Sequence, residues 1–164
     1  MKELFENIDF GKILKYLLYM LLSLIAQTMV LGQIRIAGVA PMVLPAVAVA
    51  VGMFEGATMG SIFSLLMGIF TDMSFVESRA FFVLLFPALS FAAGFVSQFF
   101  INRRFFAFMG LSLAALFITA ALQMVKTLTG NTWSGSMLTT VALQTLLSLP
   151  PAALAYFPPA KWIK

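Results

Sequence analysis

The sequence predicts an all-α integral membrane protein, a six-transmembrane-helix bundle forming a single domain over residues 1–164, and three observations predict it. Of the 164 residues, 62% are apolar and only 10% are charged, against about half and about a quarter in a soluble globular domain. Charge-free runs at 39–54, 80–102 and 105–125 reach or approach the roughly 20 apolar residues that cross a bilayer. The basic residues, finally, sort onto alternate turns. Runs this long and continuous are not the short alternating strands of an outer-membrane barrel, and in lipid the backbone must pair within its own segment, which makes the spans helices.

The first span is expected at 13–32, followed by a short link over 33–38 that carries Arg35. The second, at 39–54, has Pro41 and Pro45 in its first turns, where proline is best tolerated. The stretch 45–71 read as one helix would be about 40 Å long against a hydrocarbon core of about 30 Å, with Glu55 in its middle. A break within 52–56 gives two short spans instead, the third at 56–72, and sets Glu55 at the surface as a turn residue, avoiding a mid-membrane carboxylate. The remaining spans fall at 80–101, 105–125 and 137–156, the last kinked or ended by Pro150, Pro151, Pro158 and Pro159. Lysines ahead of an apolar run, with Gly38, Val39 and Ala40 beyond it, also fit a cleavable signal peptide. The length of the run and the spans that follow favour a retained helix.

Charge sets the orientation. With six spans, Lys2, Lys12, Lys15, Arg103, Arg104, Lys161 and Lys164 share one side, and Arg35, Arg79 and Lys126 share the other. Five spans would put Arg103 and Arg104 opposite the N-terminus. Since basic residues collect in cytoplasmic loops, Arg103, Arg104, Lys161 and Lys164 act as cytoplasmic topology determinants, and both termini are expected inside. Trp133 and Trp162 suit the interfacial belts.

The chain has no cysteine and no histidine, which removes thiolate and imidazole chemistry, His-ligated haem, iron–sulfur clusters and the usual zinc sites. A net charge of +4, dispersed and without a basic stripe interleaved with aromatics, does not suggest nucleic acid. No glycine-rich, lysine-ending nucleotide loop is present. Serines lack a histidine partner. No catalytic, cofactor-binding or metal-ligating set is therefore expected, and a proton relay or matched broken helices of the transporter kind are missing.

The most patterned feature is a four-residue series, Gly52, Gly56, Gly60, Ser64, Gly68 and Asp72. Small residues at this spacing let helix backbones approach closely, since association in lipid rests on packing. The series is a candidate for helix packing within the chain or for binding a partner. It drifts by about 40° per step around a helix of 3.6 residues per turn, so it winds. Asp72 reads either as a helix-terminal carboxylate bonded to nearby backbone or as a buried polar anchor. Glu77 and Arg79 read as a solvated loop. Gln27 and Thr28 in the first span, with Thr140, Gln144 and Ser148 in the last, are polar groups that could meet inside the bundle as interhelical glue.

These residues also carry a family likeness. A first span ending in Leu24-Ile25-Ala26-Gln27, a short link, Pro41, and then Glu55-Gly56-Ala57-Thr58-Met59-Gly60 through Gly68-Ile69-Phe70-Thr71-Asp72 resemble the bacterial rod-shape-determining protein MreD. The resemblance covers nearly the whole chain. It departs at Met42, where the family commonly has an acidic residue after the proline. It implies a non-enzymatic membrane scaffold of the cell-elongation machinery, binding an MreC-like bitopic partner and linking an MreB-like cytoskeleton, directly or indirectly, to peptidoglycan synthesis, in the bacterial cytoplasmic membrane and with no cofactor. That family in turn looks like the substrate-binding subunits of energy-coupling-factor vitamin transporters, which supply the alternative function. Such subunits are expected to present small residues on the first helix, and the first span here is bulky from Tyr16 to Leu22.

Overall fold

The computed structural model describes residues 10–36, 38–74, 80–99, 105–128 and 136–162. Among the described residues, five helical segments are long and apolar enough to cross a membrane: Gly11–Leu31, Ala57–Ser74, Phe81–Gln98, Phe105–Val125 and Leu138–Lys161. The elements are α1 (Phe10–Ile25), continued by a π-helical turn over Ala26–Leu31, then α2 (Leu44–Glu55), α3 (Ala57–Ser74), α4 (Phe81–Phe99), α5 (Phe105–Leu128), α6 (Ser136–Ala155) and the short α7 (Phe157–Trp162).

The organising element is α2, which is the shortest of the main helices and the most enclosed. Every residue from Leu44 to Phe54 is buried, against α4, α3 and α5 above all. Its alternation of Val and Ala has no polar face, as expected of a helix surrounded by other helices. At 12 residues it is about 18 Å long, short of a hydrocarbon core of about 30 Å. The expected second span is thus helical only from Leu44. Residues 39–43 are not helical, and Pro41 lies before the helix rather than in its first turn, while Pro45 does occupy the first positions. The reason is local: a proline biases the residue before it away from the helical region, and two prolines four apart leave Pro45 as the place where a helix can begin.

Non-helical backbone beside the membrane core survives only where protein satisfies it. Here two distant side chains do so. Gln27, in the π turn of α1, donates from Nε2 to the Pro41 carbonyl at 3.1 Å and accepts at Oε1 from the Val43 N–H at 2.8 Å. Ser148 of α6 accepts the Met42 N–H at 2.8 Å and donates to the Gln144 carbonyl at 2.7 Å. Of the polar residues that the sequence places within the first and last spans, Gln27 and Ser148 therefore meet on the approach to α2, while Thr140 is exposed and Gln144 contributes its backbone carbonyl. Thr28, by contrast, is exposed and bonds back to the Leu24 carbonyl of its own helix.

α1 is built inside out relative to a helix of a water-soluble protein. Its buried positions are Tyr16, Tyr19, Met20, Ser23 and Gln27, whereas Leu14, Leu17, Leu18, Leu21, Leu22 and Ile25 are exposed. In lipid an aliphatic face needs no cover. Its inward polar groups find partners: the Tyr19 hydroxyl donates to the Ala155 carbonyl at 2.7 Å. In a continuing helix that carbonyl would accept from residue 159, but residue 159 is a proline without an N–H, and Tyr19 replaces the missing donor. α6 runs unbroken through Pro150 and Pro151 to Ala155, so the chain turns at Tyr156, after the first proline pair. Tyr156 packs against Phe54, Phe105 and Phe108. The start of α1, the α2–α3 turn, the start of α5 and the end of α6 thus gather at one end of the bundle.

Replacing Gln27 with Leu strands one backbone acceptor and one donor in the interior. It is expected to lower stability by about 2–4 kcal/mol, read as an earlier midpoint in detergent-denaturant titration, whereas Thr28→Val is expected to change it by under about 0.5 kcal/mol.

Candidate functional site

The four-residue series lies on α2 and α3, and the structure brings most of it against α4. The chain reverses at Gly56, whose φ of 90° is open to glycine and strained for other residues. The break is at this one residue; Gly52, expected within it, is helical and packed. The reversal lays α3 along α2 so closely that a Cβ at Gly60 would sit 2.5 Å from the Gly52 Cα. A Cβ at Gly52 would run into the carbonyl oxygen of Ser90 on α4, and one at Gly68 would sit 2.6 Å from the Phe82 carbonyl oxygen. Gly52, Gly60 and Gly68 thus form the seam of α2, α3 and α4.

The buried positions on α3 are Ala57, Gly60, Ser64, Met67, Gly68 and Thr71. Alternating steps of three and four hold one side of a helix where a pure four-residue repeat drifts off it. Asp72, last in the series, has accordingly moved to the edge of the stripe and is half-buried. Its carboxylate accepts the Val83 N–H at 2.9 Å and the Phe82 N–H at 3.3 Å. These are two of the donors that every helix leaves unsatisfied at its start, and negative charge is favoured there. Asp72 therefore caps α4 from α3.

The receiving side of the seam lies on α4, at Ser90 and Gly94. A Cβ at Gly94 would meet the Ala57 backbone N at 2.5 Å. The signal was in the sequence as Ser90, Gly94 and Ser97, small residues at helical spacing, with Ala88, Ala92 and Ala93 between and beside them. The Ser97 hydroxyl donates to the Gly94 carbonyl at 2.9 Å. Ser64 and Ser90 are fully buried and their hydroxyls have no hydrogen-bond partner among the described residues. They fit the seam by being small.

Glu55 forms a second polar cluster, at the end of α2. Its Oε1 accepts from the Tyr16 hydroxyl at 2.5 Å and its Oε2 pairs with the Lys12 ammonium at 2.7 Å. The Glu55 side chain keeps only 14% of its exposure, against 47% for Lys12. Rather than a free turn carboxylate, Glu55 fastens the start of α1 to the α2–α3 turn. Lys161 is exposed in the last turn of α7. Arg103, Arg104 and Lys164 lie outside the described residues, as do Glu77 and Arg79. Among the described residues no three acidic side chains stand close enough together to hold a metal ion.

Compared with protein-family models, with curated proteins and with solved structures, the chain matches none.

The seam makes opposite predictions for chemically similar changes. Gly52→Ala is expected to destabilise by about 1–3 kcal/mol, the cost of overpacking against backbone. Ser90→Ala removes an unpaired buried hydroxyl at the loss of one oxygen atom and is expected to be neutral or stabilising. Gly110→Ala in α5, where an added Cβ meets nothing within 4 Å, should gain up to about 1 kcal/mol. Thermal unfolding in detergent distinguishes the three.

Proposed function

We propose that the protein is a non-enzymatic scaffold of the bacterial cell-elongation machinery, a member of the MreD type that crosses the cytoplasmic membrane six times with both termini inside. The observation that carries the reading is the resemblance in residues 55–72, where Glu55-Gly56 closes α2 and turns the chain into α3, and Gly68 through Asp72 lies near the far end of α3. In this chain the series builds the seam between α2, α3 and α4, and Asp72 caps α4. An MreC-like partner is therefore met by outward helix faces and by loops, while the glycines hold the shape that presents them. The six crossings count α2 together with the non-helical residues 39–43 as one passage.

The transporter alternative draws no support from α1, whose outward face is leucine-rich at Leu14, Leu17, Leu18, Leu21 and Leu22 where a coupling face of small residues is expected.

Co-purification in mild detergent tests the proposal. Recovery of an MreC-like bitopic protein and loss of rod shape on deletion are the expected results; no such partner together with normal shape would sink it. A vitamin that raises the melting temperature of the purified protein would favour the alternative. For topology, Gly11→Cys and Ser74→Cys, both exposed at opposite ends of the bundle, should react with a membrane-impermeant thiol reagent from opposite sides. Reaction from one side would refute six crossings.

A further inference from the structure

α1 differs from the other long helices in what holds it. It packs the least closely of them on its neighbours. Toward α3 the rings of Tyr16 and Phe63 meet edge to face, with centroids 5.9 Å apart, and beside that contact the two helices stand apart. A groove of about 470 Å³ runs there between Ile13 and Leu17 on one side and Met59, Ile62 and Leu66 on the other, down to Val51 of α2. Lipid tails cover leucine as well as another helix does, so apolar contact gives α1 little preference for its place.

The attachment of α1 is polar, and its two ends are attached differently. At the start, the Tyr16 hydroxyl donates to Glu55, the Lys12 ammonium pairs with the same carboxylate, and the Tyr19 hydroxyl donates to the Ala155 carbonyl. Glu55 is the last residue of α2 and Ala155 the last of α6. Lys12 keeps 47% of its exposure, as a lysine does when its ammonium reaches the membrane surface, and water at that surface can replace each of these bonds. At the far end Gln27, 4% exposed, satisfies the Pro41 carbonyl and the Val43 N–H. Drawing it out strands two backbone groups away from water. One end of α1 can therefore be released, and the other cannot.

The fixed end is also a point of bending. Gln27 lies in the π turn over Ala26–Leu31. A π turn closes its hydrogen bonds over one residue more than the α-helix, and it is one of the few places where a helix bends sharply. Thr28, in the same turn, bonds back to the carbonyls of Leu24 and Ile25 at 2.9 and 3.4 Å, an arrangement that itself bends helices.

We propose that α1 is a hinged gate, which swings away from α3 about the π turn, with Gln27 as its fixed point and Glu55 and the Ala155 carbonyl as the latch that holds it shut. With the gate open, the Val51 face of α2, 1% exposed when it is shut, is reached from the lipid. A partner or ligand that prefers one of the two states moves the balance between them. The gate is separate from the α2–α3–α4 seam and independent of the scaffold reading.

A swing has a signature that general loosening lacks. α1 before the turn has 16 residues, an arm of about 24 Å, so a rotation of about 15° carries its start by about 6 Å and the turn scarcely at all. The chain has no cysteine, and pairs of spin labels can be set on the full chain in phosphatidylcholine vesicles with no other change. Leu14→Cys with Ala92→Cys reports the swinging end, and Met29→Cys with Leu84→Cys the hinge end; all four positions are exposed. Removing the latch with Tyr16→Phe, Tyr19→Phe and Glu55→Gln is expected to lengthen the first distance by about 6 Å in a large share of the molecules. The second distance should stay as it was, which also shows that the variant is folded. A first distance that does not change means that packing holds α1, and overturns the gate. Lengthening of both distances overturns it too, since the bundle then loosens as a whole and nothing pivots.

Discussion

The structure depends on how three residues of non-helical backbone are kept from lipid. Residues 41–43 lead into α2 beside the membrane core, where an unpaired N–H or carbonyl costs several kcal/mol. Gln27 and Ser148 answer that requirement from two different helices. Once they do, α2 can be a short, wholly apolar helix with no face of its own, and the longer helices can pack on it from all sides. The tight seam follows from the same arrangement: a central helix this thoroughly covered needs points of closest approach without side chains, which Gly52 of α2 and Gly60 and Gly94 of its neighbours provide, while Gly68 does the same between α3 and α4.

Polar side chains in this bundle join elements that apolar packing alone would leave loosely attached. α1 touches the rest lightly and exposes a wide aliphatic face, yet it is fixed at three levels by Glu55 with Lys12 and Tyr16, by Tyr19 on the Ala155 carbonyl, and by Gln27. Since lipid tails are as apolar as leucine, hydrocarbon contact gives little reason for one helix to prefer another over lipid. Hydrogen bonds that would otherwise go unmade provide such a reason, and proline helps to create the need for them. Pro159 deprives Ala155 of its helical donor, and Tyr19 makes good the loss.

The helical class and the membrane setting were legible because composition and run length follow directly from the solvent. The reversal near Glu55 was legible from length, since one helix over 45–71 would overshoot the bilayer. The start of α2 was not: hydropathy cannot separate a buried non-helical stretch such as 39–43 from the first turns of a span, and Pro41 is compatible with both. The glycine series was visible, but periodicity on one helix cannot say which helix faces it. The receiving residues Ser90 and Gly94 stand at helical spacing among other small residues, Ala88, Ala92 and Ala93, and spacing alone does not say which of them meets α2. Asp72 admitted two readings because its role depends on where α4 begins in space. The partnership of Glu55 with Lys12 and Tyr16 joins residues about forty positions apart, which no local pattern encodes.

The two side chains that quiet the backbone before α2 come from opposite parts of the chain. Gln27 precedes Met42, but Ser148 follows it by 106 positions. During synthesis the stretch leading into α2 therefore emerges long before the group that completes its hydrogen bonds. Until α6 arrives, the Met42 N–H lacks the partner that it has in the finished bundle. The centre of this protein is among the last of its parts to be finished, and truncation within α6 would leave the core unsealed rather than merely one helix short.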